Sequence, residues 1–380
     1  MSKRIGIVTF WGVPNYGTFL QAYALKNTIQ SMDSSIVVEV IPYLNDSHYK
    51  VYYGISPIEC RYKYIRPKYY WSFVKNLLNY SENKRKEKKF LSFYRTLSLS
   101  DRISIEELKT RKYDTIILGS DIVWDFSIPF FGNDRFLFGL DLNCNNKIAY
   151  AASFGTTRYG KTIPEYVYQG VNELNAISVR ESNSQAIVKV LTGKEPQVVC
   201  DPTFLWNFEN DVNIPQENKY GDYVIVYGSS FGQELITGCV NYARANSLRI
   251  ICLDSLDDNY DWCDINIKQN DLSPFEWLAM FRYSKVVMTC TFHGLMFGLI
   301  FKKKMVFNPL KFILDKAESF IDYLELREPL IKIESFHEKV EWDWNYEIID
   351  EKLNQLKLKS ADFLLKSIQE NVGLIKKDKK

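Results

Sequence analysis

The chain has 380 residues, of which 48 are basic and 46 acidic, and its formal net charge is +2. This balance argues against a nucleic-acid-binding protein as a whole, and 46% hydrophobic with 25% charged residues is the composition of ordinary globular proteins. The seven cysteines have no CxxC spacing, and no apolar run approaches the ~20 residues that span a bilayer. We therefore expect a cytoplasmic protein of two domains with reduced thiols.

The first predicted elements are a strand over residues 4–10, a helix, and a strand over residues 36–41. Thr18 with Gln21 fits a capping box, which predicts that the helix begins there. This β-α-β order is typical of a parallel sheet. Asn15 and Gly17 lie in the turn before the helix, where backbone amides can bind a phosphate or a carboxylate. Because the turn lacks a GxGxxG sequence, a purely structural turn is an equal interpretation.

Residues 43–80 break this pattern. Between positions 49 and 75, aromatic residues alternate with lysine and arginine, and few acidic residues interrupt them. We interpret this stretch as an insertion on the first domain. Aromatic and basic side chains are favourable at an anionic membrane surface. One hypothesis is therefore that the stretch contacts a substrate and the membrane beside it, and an ordinary surface loop is the other.

The next predicted strands each end in a small or charged cluster. The carboxyl ends of parallel strands share one edge of a sheet, so we expect these clusters to lie there together. The strands cover residues 113–118, 147–152, 176–179 and 197–200, and the clusters are Gly119-Ser120-Asp121, Ser153-Phe154-Gly155, Arg180-Glu181 and Asp201-Pro202-Thr203.

A second α/β series follows the polar segment over residues 207–220, which we interpret as a domain boundary. Ser273, with Pro and Glu after it, is predicted to cap a helix. A long amphipathic pattern from Tyr346 onward predicts a terminal helix with a basic tail. Strands are predicted over residues 223–227, 248–253, 285–290 and 304–307.

The third strand of this series leads into a short polar break that contains His293 and then into an apolar run. This order indicates a strand, a tight turn and a helix start, which is where open α/β sheets bind ligands. The amides of a helix start attract anions. His293 is therefore either a functional group beside an anion site or a buried histidine that caps the strand.

Six short segments carry a more specific signal because they occur in register along the chain. They are residues 15–25 (NYGTFLQAYAL), 119–124 (GSDIVW), 150–155 (YAASFG), 177–181 (ISVRE), 199–203 (VCDPT) and 291–294 (TFHG). Together they resemble the polysaccharide pyruvyl transferase family over most of the length.

The resemblance implies an α/β fold with two Rossmann-like domains, similar to the B-type glycosyltransferase fold, and a site in the cleft between the sheets. The expected domains are residues 1–206 with the insertion, residues 221–340, and a long C-terminal helix with its tail over residues 341–380. The implied reaction transfers a pyruvyl group from phosphoenolpyruvate to a sugar diol as a cyclic ketal. The implied acceptor is a lipid-linked or polymeric surface polysaccharide.

The expected catalytic residues are His293, which suits proton transfer near neutral pH, and Arg180, which suits an anionic donor. Glu181 offers an alternative, a structural ion pair with Arg180. Neither a metal nor a cofactor is expected besides phosphoenolpyruvate as co-substrate. The residues expected to bind donor or substrate are Asn15, Gly17, Thr18, Gly119, Ser120, Asp121, Ser153, Phe154, Gly155, Glu181, Asp201, Thr291 and Gly294.

One position departs from the family pattern. Several members carry an arginine two residues before the histidine, where this chain has Thr291. Either Arg282, Lys285 or the helix N-terminus supplies that charge, or the donor differs.

Two other function classes remain open from the sequence. A nucleotide-sugar-dependent glycosyltransferase of the same architecture would bind a diphosphate at an amide-lined turn of the second domain. A non-catalytic sugar-binding protein would keep the fold without the reaction. The expected partners are a sugar acceptor, such as a lipid-linked oligosaccharide, and the inner membrane as a peripheral contact, with no nucleic acid.

Overall fold

Two parallel β-sheets organise the chain, and the computed structural model describes residues 3–54, 80–128, 134–253, 260–269 and 271–374. The strands of the first sheet are β1 (Arg4–Val8), β2 (Val37–Val40), β3 (Lys112–Leu118), β4 (Asn143–Ala152), β5 (Ala176–Val179) and β6 (Gln197–Val198). Their order is β2-β1-β3-β4-β5-β6, and the pairings that join β2 to β5 are parallel.

The second sheet is also parallel and has the order β11-β10-β7-β8-β9. Its strands are β7 (Tyr223–Tyr227), β8 (Arg249–Leu253), β9 (Ile265–Ile267), β10 (Val286–Thr289) and β11 (Lys304–Phe307). β7 and β10 are buried along their whole length. Continuous apolar strands of this kind are typical of parallel sheets that are covered on both faces.

The helices follow the strands in the alternation that a parallel sheet requires. They are α1 (Tyr16–Met32), α2 (Asp46–Tyr53), α3 (Tyr80–Arg95), α4 (Ile105–Thr110), α5 (Glu165–Asn172), α6 (Ser182–Thr192), α7 (Gln233–Ala245), α8 (Pro274–Tyr283), α9 (Phe292–Ile300), α10 (Lys311–Tyr323), α11 (Phe336–Glu341) and α12 (Tyr346–Leu374). Within the described ranges, no helix combines the length and the apolar character that a membrane crossing needs.

Several sequence predictions are confirmed at the level of single elements. β5, β7 and β11 have the predicted bounds. Ser273 caps α8 with a complete capping box, in which its side chain and that of Glu276 each accept a hydrogen bond from the other's backbone. The terminal helix begins at Tyr346 as predicted.

Two helix starts differ from the prediction. α1 begins at Tyr16, because the Asn15 side chain caps it by accepting a hydrogen bond from the Thr18 amide at 3.0 Å. Thr18 is therefore not the cap, and its hydroxyl bonds elsewhere. α9 begins at Phe292, so His293 lies in the first turn of the helix and not in a break before it.

By its internal contacts the chain divides into two compact units. The first unit comprises Met1–Val179, Asn183–Gln197 and Leu364–Lys380, and the second comprises Arg180–Ser182 and Val198–Phe363. The boundary between Gln197 and Val198 thus lies before the polar segment over residues 207–220 that the sequence indicated. The helix α12 contributes residues to both units. Of the predicted insertion, residues 55–79 lie outside the described part of the chain.

Candidate active site

The second sheet places two turns side by side at its carboxyl edge. β7 and β10 are neighbours and pair in register, with Tyr227 opposite Thr289. The turn after β7 contains Gly228 and Ser229, and the turn after β10 leads into α9. The Ser229 amide donates a hydrogen bond to the Cys290 sulfur at 3.2 Å, which joins the two turns.

A chain of hydroxyl groups fixes the start of α9. The Thr289 hydroxyl donates to the Tyr227 carbonyl at 2.7 Å and lies 3.1 Å from the Thr291 hydroxyl. The Thr291 hydroxyl caps α9 by accepting a hydrogen bond from the Gly294 amide at 3.0 Å. Thr291, which the sequence singled out as a departure, therefore has a definite structural role as the N-cap.

Two glycines at this edge allow close approach of the backbone. A Cβ at Gly294 would lie 2.1 Å from the Thr289 hydroxyl oxygen and 2.6 Å from that of Thr291. Gly228 has φ +128°, and a Cβ there would lie 2.4 Å from the Cys290 sulfur. Burial raises the pKa of the Cys290 thiol, which favours the neutral thiol at this position.

His293 occupies the first turn of α9 and is partly exposed, whereas Phe292 beside it is buried. The two rings contact edge to face, with centroids 5.4 Å apart. The Arg180 guanidinium lies over the Phe292 ring, 4.3 Å from its centroid. The buried Phe292 ring thus contacts both of the residues that were predicted as catalytic, His293 and Arg180.

Arg180 is engaged by two buried carboxylates of the same unit. Its Nη1 donates to Asp201 at 3.0 Å, and its Nε lies 3.8 Å from Glu181, with all three side chains at most 4% exposed. Asp201 also accepts hydrogen bonds from the amide and the hydroxyl of Thr203, at 3.1 and 2.9 Å. The positive charge of Arg180 is therefore offset by its own neighbours before any ligand binds.

Arg282 and Lys285 lie at the opposite end of β10 from His293. Arg282 donates to the carbonyls of Phe208 and Glu209, at 3.0 and 2.7 Å, and Lys285 pairs with exposed Asp222 at 3.3 Å. The hypothesis that one of them supplies the charge missing at position 291 is wrong for this geometry, because both lie at the amino edge of the strand.

The first unit has a second polar cluster, at the carboxyl ends of β1, β3 and β4. The Thr18 hydroxyl donates to Asp121 Oδ2 at 3.0 Å, and the Ile122 amide donates to Asp121 Oδ1 at 2.8 Å. Asp121 has φ +78° and is 8% exposed. Asn15 is exposed, and Gly17 is buried in the first turn of α1.

The remaining predicted residues of this unit build the backbone of that edge. A Cβ at Gly119 would lie 2.4 Å from the Tyr150 carbonyl, and the Ser120 hydroxyl donates to the Ala151 carbonyl at 3.0 Å. The Ser153 amide donates to the Asp121 carbonyl at 3.1 Å. The predicted clusters therefore meet in two pairs, residues 119–121 with 153–155 and residues 180–181 with 201.

Asp125 organises the loop after β4, and sequence reasoning missed it. Its carboxylate is fully buried and accepts hydrogen bonds from Ser127, Thr156 and Thr157 at 2.6 to 3.2 Å. A Cβ at Gly155 would lie 2.5 Å from this carboxylate. Phe154 is buried against Trp124, with ring centroids 5.2 Å apart. The SFG segment therefore shapes the loop around Asp125. The sequence signal that could have indicated Asp125 is the GSD motif at residues 119–121, a few positions before it.

Comparison with known families gives one match, to the family described as polysaccharide pyruvyl transferase, over residues 15–307. No curated protein matches the chain in sequence. The matched range includes every residue that the sequence predicted for the site.

Solved structures resemble the chain in fold. A Listeria monocytogenes protein assigned as a UDP-N-acetylglucosamine 2-epimerase has a TM-score of 0.52 at 8% identity, covering 98% of this chain and 97% of its own. Arabidopsis thaliana UGT89C1 with UDP-L-rhamnose has a TM-score of 0.48 at 10% identity, covering 98% and 99%. E. coli heptosyltransferase WaaC with ADP has a TM-score of 0.38 at 11% identity, covering 80% and 86%. The fold, an α/β fold with two parallel sheets, is similar to that of the Listeria monocytogenes epimerase.

Proposed function

The chain belongs to the polysaccharide pyruvyl transferase family, and on that premise we propose that it transfers the pyruvyl group of phosphoenolpyruvate to two hydroxyls of a sugar. The product is a cyclic ketal on a surface polysaccharide or its lipid-linked precursor. The observation that carries the proposal is the position of His293 in the first turn of α9, at the carboxyl edge of the second sheet.

The reaction requires proton transfer at carbon and at oxygen. The vinyl CH₂ of phosphoenolpyruvate gains a proton and becomes the methyl group of the ketal. Two C–O bonds form from the sugar hydroxyls to C2, and the bond from C2 to the phosphate oxygen breaks. Of the two hydroxyl protons released, one balances the proton taken up by carbon and the other leaves with phosphate.

His293 is the group we assign to the proton transfer at the vinyl carbon. An imidazole titrates near neutral pH and can both give and accept a proton. Its backbone is fixed by the Thr291 cap, and its ring rests against buried Phe292. A rigid helix start holds a catalytic group more accurately than a loop does.

The donor is a trianion, and backbone amides at the same edge are its proposed partners. The start of α9 presents N–H groups there, whereas the Ser229 amide already donates to the Cys290 sulfur. A helix start carries about +0.5 of an elementary charge. Arg180 contributes less than its formal charge, because Asp201 and Glu181 offset it. We assign it chiefly to holding Phe292, and through Phe292 the first turn of α9.

The acceptor is proposed to be lipid-linked and to be met at the cytoplasmic face of the membrane. The support is the family's polysaccharide substrate and the aromatic and basic composition of residues 49–75. Vesicle sedimentation tests the membrane part: equal binding to anionic vesicles by the wild type and by a Lys/Arg-to-Gln variant of residues 49–75 would dismiss it.

The donor is tested by calorimetry on the purified full chain. We expect saturable binding of phosphoenolpyruvate, weakened by His293→Ala and unchanged by His337→Ala, since His337 is exposed on α11. UDP-N-acetylglucosamine is measured in the same way, as the kind of ligand that the glycosyltransferase alternative predicts. Binding of this nucleotide sugar with none of phosphoenolpyruvate would instead establish the glycosyltransferase alternative.

A further inference from the structure

A polar cleft of about 320 Å³ lies in the second unit, at the end of α9 that is opposite His293. Its walls are the segment that follows β6, the end of α9 and one face of α12, all of which belong to this unit. We call it the α12 cleft. The side chains that carry its chemistry are Trp206, Glu209, Lys302, Asp350, Asn354 and Lys357.

One wall of the α12 cleft is a polar stripe on the helix. Asp350, Asn354 and Lys357 are spaced by four and then three positions, so they lie on one face of α12. Leu353, which lies between them in the sequence, is 3% exposed and fastens this part of α12 to the unit. The polar groups of this wall are therefore held on a rigid element, which suits a binding site.

The charges of the α12 cleft balance. Lys302 Nζ lies 2.6 Å from Asp350 Oδ2, and the other two charged side chains that line the cleft are Glu209 and Lys357. An anionic ligand would be attracted by the two lysines and repelled by the two carboxylates, so it would gain little overall. The cleft therefore favours a neutral polar ligand over a phosphate or a carboxylate.

Two side chains of the α12 cleft have hydrogen-bonding capacity to spare. Neither Asn354 nor Lys357 forms a hydrogen bond or an ion pair with another residue in the part of the chain that the structure describes. An amide both donates and accepts, an ammonium group donates, and the carboxylates of Asp350 and Glu209 accept. This mixture is complementary to hydroxyl groups, each of which donates and accepts.

Trp206 adds an aromatic surface to the α12 cleft. Its ring is partly exposed, and its indole N–H donates to Asp211 at 2.7 Å. Asp211 is 5% exposed and also accepts a hydrogen bond from the Asn213 amide at 2.9 Å. The ring is therefore held in place by a buried group. A fixed aromatic ring offers an apolar face to the C–H groups of a sugar.

We propose that the α12 cleft binds one neutral sugar unit, with its hydroxyls hydrogen-bonded to the polar stripe of α12 and one face of its ring packed on Trp206. The volume is at the lower end of the range for small-molecule sites, which suits a single unit. The nine residues of α9 separate the cleft from His293 by roughly 14 Å along the helix. The bound unit is therefore not the one that reacts at His293. That it belongs to the same polysaccharide chain as the reacting unit rests on the proposed function.

Saturation-transfer NMR on the full chain, without phosphoenolpyruvate, tests the α12 cleft with the methyl glycosides of glucose, galactose, mannose and N-acetylglucosamine. We expect at least one glycoside to bind the wild type. Lys357→Met should weaken its binding by roughly tenfold or more, the loss of a hydrogen bond to a charged group. Asn354→Ala should weaken it by roughly 2- to 10-fold, the loss of a neutral hydrogen bond.

Lys359→Met and Gln355→Ala are the matched controls. Both residues are exposed on α12 and lie outside the lining of the cleft, so glycoside binding should equal that of the wild type. The two cleft variants remove no described hydrogen bond or ion pair, so their melting temperatures should stay within a few degrees of the wild type. A loss of binding in them therefore reports on the ligand and not on folding.

The inference is overturned if none of the four glycosides binds the wild type, or if the wild type and the two cleft variants bind equally well. Glycoside binding that is weakened by His293→Ala but not by Lys357→Met would place the sugar at the candidate active site instead. Inorganic phosphate is the anionic probe. Phosphate that displaces the glycoside from the wild type and loses affinity in Lys357→Met would contradict the neutral ligand.

Failure of this inference is distinguishable from failure of the proposed function. Glycoside binding at the α12 cleft without any binding of phosphoenolpyruvate would leave the sugar site standing and remove the donor. The reverse result would keep the donor and remove this sugar site.

Discussion

At the scale of single residues, the difference between the three histidines is environment. His48 is buried among aromatic rings, His337 is exposed, and His293 alone of the three lies partly exposed at a helix start on a sheet edge. Chemistry at carbon needs a group that reaches both the substrate and a proton source, and that environment suits His293.

His293→Ala is expected to lower turnover by roughly a hundredfold or more, the usual contribution of a general acid–base group. His337→Ala should leave it unchanged. Phosphate release from phosphoenolpyruvate with an acceptor measures both, and circular dichroism confirms folding. Wild-type turnover in a folded His293→Ala protein would end the assignment.

Arg180→Lys keeps the charge but loses the planar fork and the stacking on Phe292. We expect a lower melting temperature, because Asp201 and Glu181 are then left buried with poorer partners. We also expect phosphoenolpyruvate to bind at least ~10-fold more weakly, as the first turn of α9 loosens. Calorimetry and thermal unfolding are compared on the same samples. A loss of stability with unchanged affinity would mean that Arg180 is structural only.

At the scale of elements, close packing of α9 on β10 is what sets the candidate edge. Gly294→Ala places a Cβ against the hydroxyls of Thr289 and Thr291, with no room for it. Overpacking of this kind costs about 1–3 kcal/mol, and the cap on α9 has to shift. We expect lower stability together with lower turnover.

Gly232→Ala is the control for that substitution. Gly232 caps α7 at the same edge of the sheet, and a Cβ there would meet nothing within 4 Å. It should change neither the melting temperature by more than a few degrees nor the turnover. Equal behaviour of the two variants would show that the close contact at Gly294 is not what positions His293.

How far sequence predicts these elements depends on the range of the interactions that form them. β7 and β11 were predictable because each is a continuous apolar run between polar turns. β9, Ile265–Ile267, is too short and too interrupted by polar residues to show a period. The Arg180–Glu181 pair was visible from adjacency, but the closer pair with Asp201 joins the ends of different strands.

The same limit applied to the carboxylates of the first unit. Asp121 was found because it ends a strand, whereas Asp125 is held by hydroxyls about thirty positions later in the chain.

At the scale of the whole molecule, the buried Lys339 makes the free energy of unfolding depend on pH in the alkaline range. Lys339 is 3% exposed, and its ammonium donates to the carbonyls of Pro329 and Leu330, at 3.1 and 2.8 Å. Burial lowers its pKa to about 8. Between this value and its ordinary value of 10.5, the unfolded chain binds more protons than the folded chain, so the free energy of unfolding rises with pH.

We expect this contribution to reach about 3 kcal/mol at most across that window. Urea unfolding at pH 7.5 and pH 10 measures it, with Lys339→Met as the variant that cannot titrate at this site. The rise between the two pH values should be smaller in the variant, although the variant is less stable overall. An identical rise in both proteins would assign the effect to other groups.

The division of α12 between the two units has a consequence for how the protein is made. The N-terminal part of the chain does not complete the first unit by itself, because the end of α12 also belongs to that unit. Leu364 and Ile368 are buried there. The carbonyls of Ser367 and Ile368 accept hydrogen bonds from Asn146 and Lys3. The ribosome must synthesise the whole second unit before these residues emerge, which takes on the order of ten seconds or more.

During that interval part of the apolar surface of the first sheet is not yet covered. The second unit, although it is made later, receives all its residues first and is able to close first. The order of completion is therefore the reverse of the order of synthesis, and the nascent first unit is the stage at which a chaperone has most to protect.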